Sequence, residues 1–404
     1  MIVLAGGNLV LPDRILTNAS LLLDGSRIAA IEPRSRVDPA GATIVECADC
    51  YVVPGFIDVH VHGVEGHDTL DQGDPVAEIA ARLPRYGVTA FCPTTVACPP
   101  GELRAMLDQV RRLRAAMPAT SARVLPAHLE SNFINPEYRG AQPAECLRVP
   151  DVRGAGGAER TRRPADTGDF SARDILDVIW DARSDVGIVT LAPELPGGID
   201  LVRTLVSAGH RVSLGHSGAD LDEAMAAIDA GARHATHLFN RMTPITHRAP
   251  GLAGAVLARE DVAAELICDG YHVHPAMCRV AIASKGPGRI MAITDGTGGS
   301  GLPVGSVARL GGRRIRVTEE AAVLDAGTLA GSTLTMDRAF RMIVATLGLS
   351  VVEAALLCST TPARELGLTG TGELAEGRAG DVVVLDRAFR VVRTFIDGRQ
   401  VFGT

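Results

Sequence analysis

Eight times between residues 56 and 296, a short apolar run ends in polar or ionisable residues and gives way to a helical stretch. The runs are FIDVHVH (56–62), GVTAFCPTT (87–95), RVLPAHLES (123–131), GIVTLAPE (187–194), RVSLGHS (211–217), HATHLFN (234–240), AAELICDG (263–270) and RIMAITDG (289–296). Near-continuous apolar strands are what a parallel sheet buried on both faces requires. Between them lie patterned helices such as ADLDEAMAAIDAGA (219–232), in which Leu221, Met225, Ile228 and Ala232 recur at three to four residues. Eight β/α units predict a (β/α)8 TIM barrel. Its active face is expected at the C-terminal strand ends, where this chain gathers its ionisable residues.

The two ends of the chain follow a different pattern. Residues 1–53 carry short β-prone runs broken by Gly, Asp and Pro, and the tail repeats that style in GDVVVLDRAFRVVRTFIDGRQVF. Neither end is long enough to bury a core alone, so the economical arrangement is one small β-sandwich assembled from both termini. We therefore expect residues 1–53 and 366–404 to form that sandwich and residues 54–365 to form the barrel. The Gly- and Arg-rich stretch 143–173 breaks the β/α rhythm and reads as a long excursion after the third strand. A surface loop is favoured there over a lid.

Composition removes several classes of function. A formal charge of −7 leaves no basic field for a nucleic-acid backbone, and 3% aromatic residues offer few stacking platforms. No run reaches the roughly 18 apolar residues of a membrane-spanning helix. The start, MIVLAGGNLVLPDR, lacks the basic region of a signal peptide, so a cytoplasmic enzyme is expected. Eight cysteines without framework spacing read as reduced thiols, and Cys47-x-x-Cys50 has no second pair to complete a zinc site. Lys285 is the only lysine, so any chemistry that needs a lysine must use it.

His60 and His62 end the first strand, and the two-residue period of a strand turns both imidazoles into the barrel. Glu130 ends the third strand, His216 the fifth, and His237 and Asp295 lie near the ends of the sixth and eighth. Six potential ligands thus converge on one rim. Imidazole and carboxylate without thiolate suit zinc, or iron, manganese or cobalt, in a site left open for water. Such a site lowers the pKa of water and polarises a carbonyl, which favours hydrolysis, and Asp295 can carry the proton from the nucleophile to a leaving nitrogen. His272, in DGYHVHP, overlooks this rim. His128 sits one pleat deeper than Glu130, His67, His210 and His234 read as structural, solvated or capping residues, and His274, two residues beyond His272, has a weaker claim on the rim.

VVPGFIDVHVHG, AHLESNFINPEYRGAQP, LAPE, LGHSGAD, HATHLFNRM, APGLAGAVL, CDGYHVH, ITDG and GTLAGSTLTM together resemble the N-acetylglucosamine-6-phosphate deacetylase family of the amidohydrolase superfamily, over almost the whole chain. The resemblance implies a divalent metal on Glu130, His216 and His237, with Asp295 as general acid and base. It also implies that His60 and His62 can hold a second metal. By the same carry-over, His272, Asn240 and Arg241 meet the sugar or its phosphate, and Arg248 reaches the phosphate across the interface of a homodimer. Guanidinium forks and imidazolium donors suit that dianion.

Several positions depart from the family's pattern. Ser131-Asn132 stands where Gly-Pro is usual, Gln142 where a substrate-touching histidine is usual, Gly218 where Asn is expected, and TDGTGGSG replaces the usual loop. The activity implied is metal-dependent deacetylation of N-acetylglucosamine 6-phosphate, with His272 or Gln142 beside the metal at the tetrahedral oxyanion. Alternatives are hydrolysis of another N-acyl sugar, such as N-acetylgalactosamine 6-phosphate, or of an N-acyl amino acid. A purine deaminase or a non-catalytic barrel is less favoured. Cyclic-amide hydrolases that bridge two metals with a carboxylated lysine on the fourth strand are disfavoured, because GIVTLAPE has none and Lys285 lies before the eighth strand, out of reach.

Overall fold

The computed structural model describes residues 1–34, 41–116, 118–150 and 169–403. Eight parallel strands follow one another around a barrel: Phe56–Val61, Val88–Thr95, Ala127–Glu130, Val186–Leu191, Arg211–Leu214, His234–Ala235, Ala263–Ile267 and Ile290–Ile293. Each pairs in parallel with the next. The ring closes through a parallel bridge between Val61 and Gly296, where the peptide nitrogens of His62 and Gly63 both donate to the Gly296 carbonyl. Every residue of the first, second, third, seventh and eighth strands is buried, as expected for a sheet with side chains inside and helices outside.

The helices begin where local chemistry predicts. Asp220 and Ser171 form capping boxes with Glu223 and Asp174, and Pro occupies the first turn of Pro75–Arg82, Pro100–Ala115 and Pro275–Lys285. Lys285, at the end of the last of these helices, caps the backbone carbonyls of Val256 and Arg259, away from the strand ends. Among the described residues no helix is long and apolar enough to cross a membrane.

Both termini supply the second sheet, as expected. Its strands Ile2–Val10, Ile15–Asp24, Arg27–Pro33, Thr43–Glu46 and Tyr51–Pro54 join Val382–Leu385, Val391–Ile396 and Arg399–Phe402 through antiparallel pairing of Tyr51–Pro54 with Val382–Leu385. The hydrogen bonds link the two wings into one continuous sheet. A shared apolar cluster, with Leu21 and Leu23 from one wing and Val384 and Phe395 from the other, fills its interior. Arg123 fastens this sheet to the barrel by reaching the buried Asp381 at 2.9 Å and Asp397 at 3.0 Å.

One element was not anticipated. After the eighth strand, Val307–Leu310, Arg313–Val317 and Ala322–Leu324 form a separate antiparallel sheet. Its alternating VARL and RRIRV flank Gly311-Gly312, both at positive φ, which is a two-residue hairpin signal readable from the chain. The inner face packs on Val96 and Ala141 and brings Leu310 to the barrel mouth. Of the expected excursion 143–173, residues 151–168 lie outside the described residues. Its flanks are tied together: the buried Arg148 guanidinium donates to the carbonyls of Glu145, Leu147 and Phe170 and lies 3.8 Å from the Phe170 ring centroid.

Candidate metal centre and substrate cavity

The six rim residues meet at the C-terminal mouth of the barrel. Glu130 Oε1 lies 2.8 Å from both His216 Nε2 and His237 Nε2, and those two nitrogens are 3.1 Å apart. A second group gathers beside it, with His60 Nε2 3.2 Å from His62 Nε2 and both 3.4 Å from Asp295 Oδ1. Glu130 spans the two groups, since its Oε2 is 3.5 Å from His62 Nε2. Tetrahedral bonds of about 2.0–2.1 Å place neighbouring ligand atoms roughly 3.3 Å apart, so both triplets fit a divalent cation.

Electrostatics point the same way. Burial opposes charge on His62 and His237, yet hydrogen bonds that His62 donates to Asp295 and Glu130, and His237 to Glu130, outweigh it and hold these imidazoles up at about 10 and about 9. Burial also opposes charge on Glu130, but His216, His237 and His62 hold its carboxyl well below the usual range. The buried carboxylates therefore demand positive charge, which protons supply here and a divalent cation can supply instead. For His60 burial dominates and pushes the imidazole down to about 3, which keeps it neutral and ready to ligate.

Backbone conformation marks the same residues. His216, His237 and Asp295 have φ of 49°, 31° and 48°, left-handed values that a non-glycine residue adopts at a cost of about 1–3 kcal/mol. Each sits just beyond a barrel strand, where the turn re-aims its side chain inward. His216 Nδ1 donates to the Tyr138 carbonyl at 2.8 Å, leaving Nε2 as the inward-facing lone pair. Its loop is braced by Glu194, which accepts from Ser217 Oγ, the Gly218 amide and Asn135 Nδ2.

Above the ligands opens a cavity of about 540 Å³, lined among others by Tyr138, Gln142, Asn240, Arg241 and His272. Asp269 accepts from His272 Nδ1 at 2.6 Å, which leaves Nε2 toward the cavity. Asn240 donates to the His237 carbonyl, and Arg241 lies exposed at the edge, packed on Gly140. Arg248 is exposed and does not line this cavity within its own chain. Gln142 is buried, and its orientation follows from its partners: Oε1 accepts from the Ala97 amide, so Nε2 must donate, and it donates to Glu130 Oε2. The glutamine thus grips a ligand carboxylate as well as facing the cavity.

Ser131-Asn132 and Gly218 have local explanations. Ser131 Oγ bonds the Thr190 carbonyl and the Phe133 amide, and Asn132 donates to the carbonyls of Cys98 and Cys146, so both brace the loop behind Glu130. A Cβ at Gly218 would come within 2.6 Å of the Tyr138 ring, so the small residue makes room for that tyrosine. His128 is taken up by the Val59 carbonyl and Thr190 Oγ1, and His210 by the Val186 carbonyl. His234 faces Glu365, in keeping with its structural reading, and His274 caps the helix Pro275–Lys285. Sequence reasoning missed Asp269, Glu194 and Glu265. The signals were an acid three residues before His272, one closing LAPE, and a lone charge inside the apolar AAELI.

A parallel barrel whose strand ends converge imidazoles and carboxylates beneath an open cavity defines a metal-dependent hydrolase of the barrel type. The chain belongs to the amidohydrolase family, which matches residues 51–401. It is 32% identical over 400 residues to an N-acetylglucosamine-6-phosphate deacetylase of Bacillus subtilis, covering 98% of this chain and 95% of that one. An N-acetylgalactosamine-6-phosphate deacetylase of Escherichia coli O157:H7 is also 32% identical, over 96% of this chain and 97% of its own. Among solved structures, a mutant N-acetyl-D-glucosamine-6-phosphate deacetylase from Mycobacterium smegmatis, in complex with N-acetyl-D-glucosamine-6-phosphate, superposes with a TM-score of 0.87. It is 31% identical and covers 100% of this chain and 99% of its own.

Proposed function

We propose that this chain hydrolyses the acetamide of N-acetylglucosamine 6-phosphate to glucosamine 6-phosphate and acetate, in amino-sugar catabolism. The observation that carries the reading is the convergence of Glu130, His216 and His237 beside Asp295, under a cavity of substrate size. Glu130, His216 and His237 would hold a divalent cation, zinc by preference, which when bound would supply Lewis-acid polarisation of the acyl oxygen and a lowered pKa of water. His60 and His62 offer places for a second one. Asp295 accepts the proton of the attacking water and returns it to the departing amine. Asp269 fixes His272 with Nε2 toward the substrate, where it bonds the acyl oxygen or the sugar, and Gln142 holds Glu130 in place. Eight free thiols fit a reducing, cytoplasmic setting.

Arg241 is the only arginine lining the cavity among the described residues. Because the exposed Arg248 does not reach it, we assign Arg248 to the phosphate of a neighbouring subunit in a homodimer. Arg248→Ala is expected to raise KM for a 6-phosphate substrate by about tenfold or more, with a smaller change for the unphosphorylated sugar. Equal effects on both substrates would remove the assignment.

The relative acting on the galactose epimer gives a second reading weight, since its identity to this chain equals that of the B. subtilis protein. Acetate release from N-acetylglucosamine, N-acetylglucosamine 6-phosphate and N-acetylgalactosamine 6-phosphate, measured on metal-analysed protein, separates the two. We expect the highest kcat/KM with N-acetylglucosamine 6-phosphate. Turnover of none of these sugars would defeat the substrate assignment.

A further inference from the structure

Glu265 is the one ionisable residue in the seventh barrel strand, Ala263–Ile267, and its side chain is 0% exposed. Burying a carboxylate inside a barrel costs several kcal/mol unless partners compensate. Its compensation is incomplete. Oε2 lies 2.9 Å from His60 Nδ1 and accepts from the His237 amide at 3.3 Å, whereas Oε1 has no hydrogen-bond partner among the described residues. His128 Nδ1 stands 3.6 Å from Oε1 and is already bonded to the Val59 carbonyl. A buried acid with one oxygen unpaired contributes little to folding, so its worth must lie in what the other oxygen holds.

We propose that Glu265 is a positioning residue for the metal centre, acting through His60; this rests on reading the rim residues as a cation site. Accepting the Nδ1 proton fixes the tautomer of His60, so that its Nε2 lone pair faces His62 and Asp295. The same oxygen holds the amide of His237, whose φ of 31° needs support, and the Glu265 carbonyl accepts from the Leu238 amide at 2.8 Å. One carboxylate on the seventh strand therefore registers a ligand of the first strand with a ligand beyond the sixth.

The test uses the purified full chain and zinc alone as the probe. Zinc affinity is measured against a competing chelator for wild type, Glu265→Leu and Glu265→Gln, and the tautomer of His60 is read by 15N NMR of the zinc-loaded wild type. Glu265→Leu is expected to weaken one zinc by about ten- to hundredfold, because no acceptor remains for Nδ1. Glu265→Gln, whose Oε1 still accepts, is expected to recover most of that loss. Wild-type His60 should carry its proton on Nδ1. The proposal is overturned if both variants bind zinc as wild type does, if glutamine is as impaired as leucine, or if His60 carries its proton on Nε2. Should Glu265→Leu not fold, the tautomer and the glutamine variant still decide. A wild-type chain that takes up no zinc would instead defeat the metal reading itself.

Discussion

Asp295→Asn is expected to lower kcat by about 10³-fold while leaving the fold and the bound metal in place. Asparagine keeps the shape of the side chain but cannot take a proton from water or return one to the leaving amine. Asp295 Oδ1 stands 3.4 Å from both His60 and His62, at the boundary between the ligand shell and the open cavity, so it can both contact a cation and face the substrate. Burial works against its charge, but the hydrogen bond from His62 and the charges of His62 and His237 hold its carboxyl below the ordinary range, so it is ready as a base at neutral pH. A steady-state assay beside metal analysis of the same preparation checks this. Near-normal turnover with full metal would remove Asp295 from the mechanism.

Stripping the divalent cation is the second large effect. Hydrolysis is expected to fall to about 1% or less of the loaded protein, because no remaining group can acidify water at neutral pH and a neutral hydrogen bond polarises the amide far less than a cation. Zinc, manganese or cobalt should each restore some activity, to different degrees. Proton competition gives the effect a sign with pH. His62 and His237 are held up at about 10 and about 9 in the absence of a cation, so both are protonated at neutral pH and must shed protons to ligate. Apparent metal affinity should therefore rise as pH rises through the neutral range. Chelator titrations at several pH values measure it, and full activity after exhaustive chelation would contradict the metal-dependent mechanism.

Much of this molecule could be read from its residues. Seven of the eight strands lie within the apolar runs that end in polar or ionisable residues, the fourth begins one residue ahead of its run at Val186, and the tail strands join those of the first 54 residues. The candidate ligands on the rim were legible because a strand alternates its faces and a parallel barrel presents its strand ends together. Less was legible where roles depend on partners far along the chain. Gln142 could be flagged as a departure, but its grip on Glu130 depends on the Ala97 amide fixing its other end. The role of Glu265, a lone charge inside AAELI, was not legible because its partner lies 205 residues away on the first strand. The sheet at 307–324 announced itself in alternation and a Gly-Gly turn, although a reading attentive to β/α units passed over it.

The residues alone determined the barrel, the sheet shared by the two termini and the six candidate ligands on the rim, because each rests on local periodicity or on residue type. Only the tertiary structure showed Asp295 beside His60 and His62, and Glu130 reaching from His216 and His237 across to His62. It also decided that Asp269 holds His272, that Glu265 holds His60, and that Arg248 lies outside its own cavity. Those outcomes depend on strand register around a closed ring and on backbone turns at positive φ beyond the strand ends. There, packing against distant segments outweighs local preference.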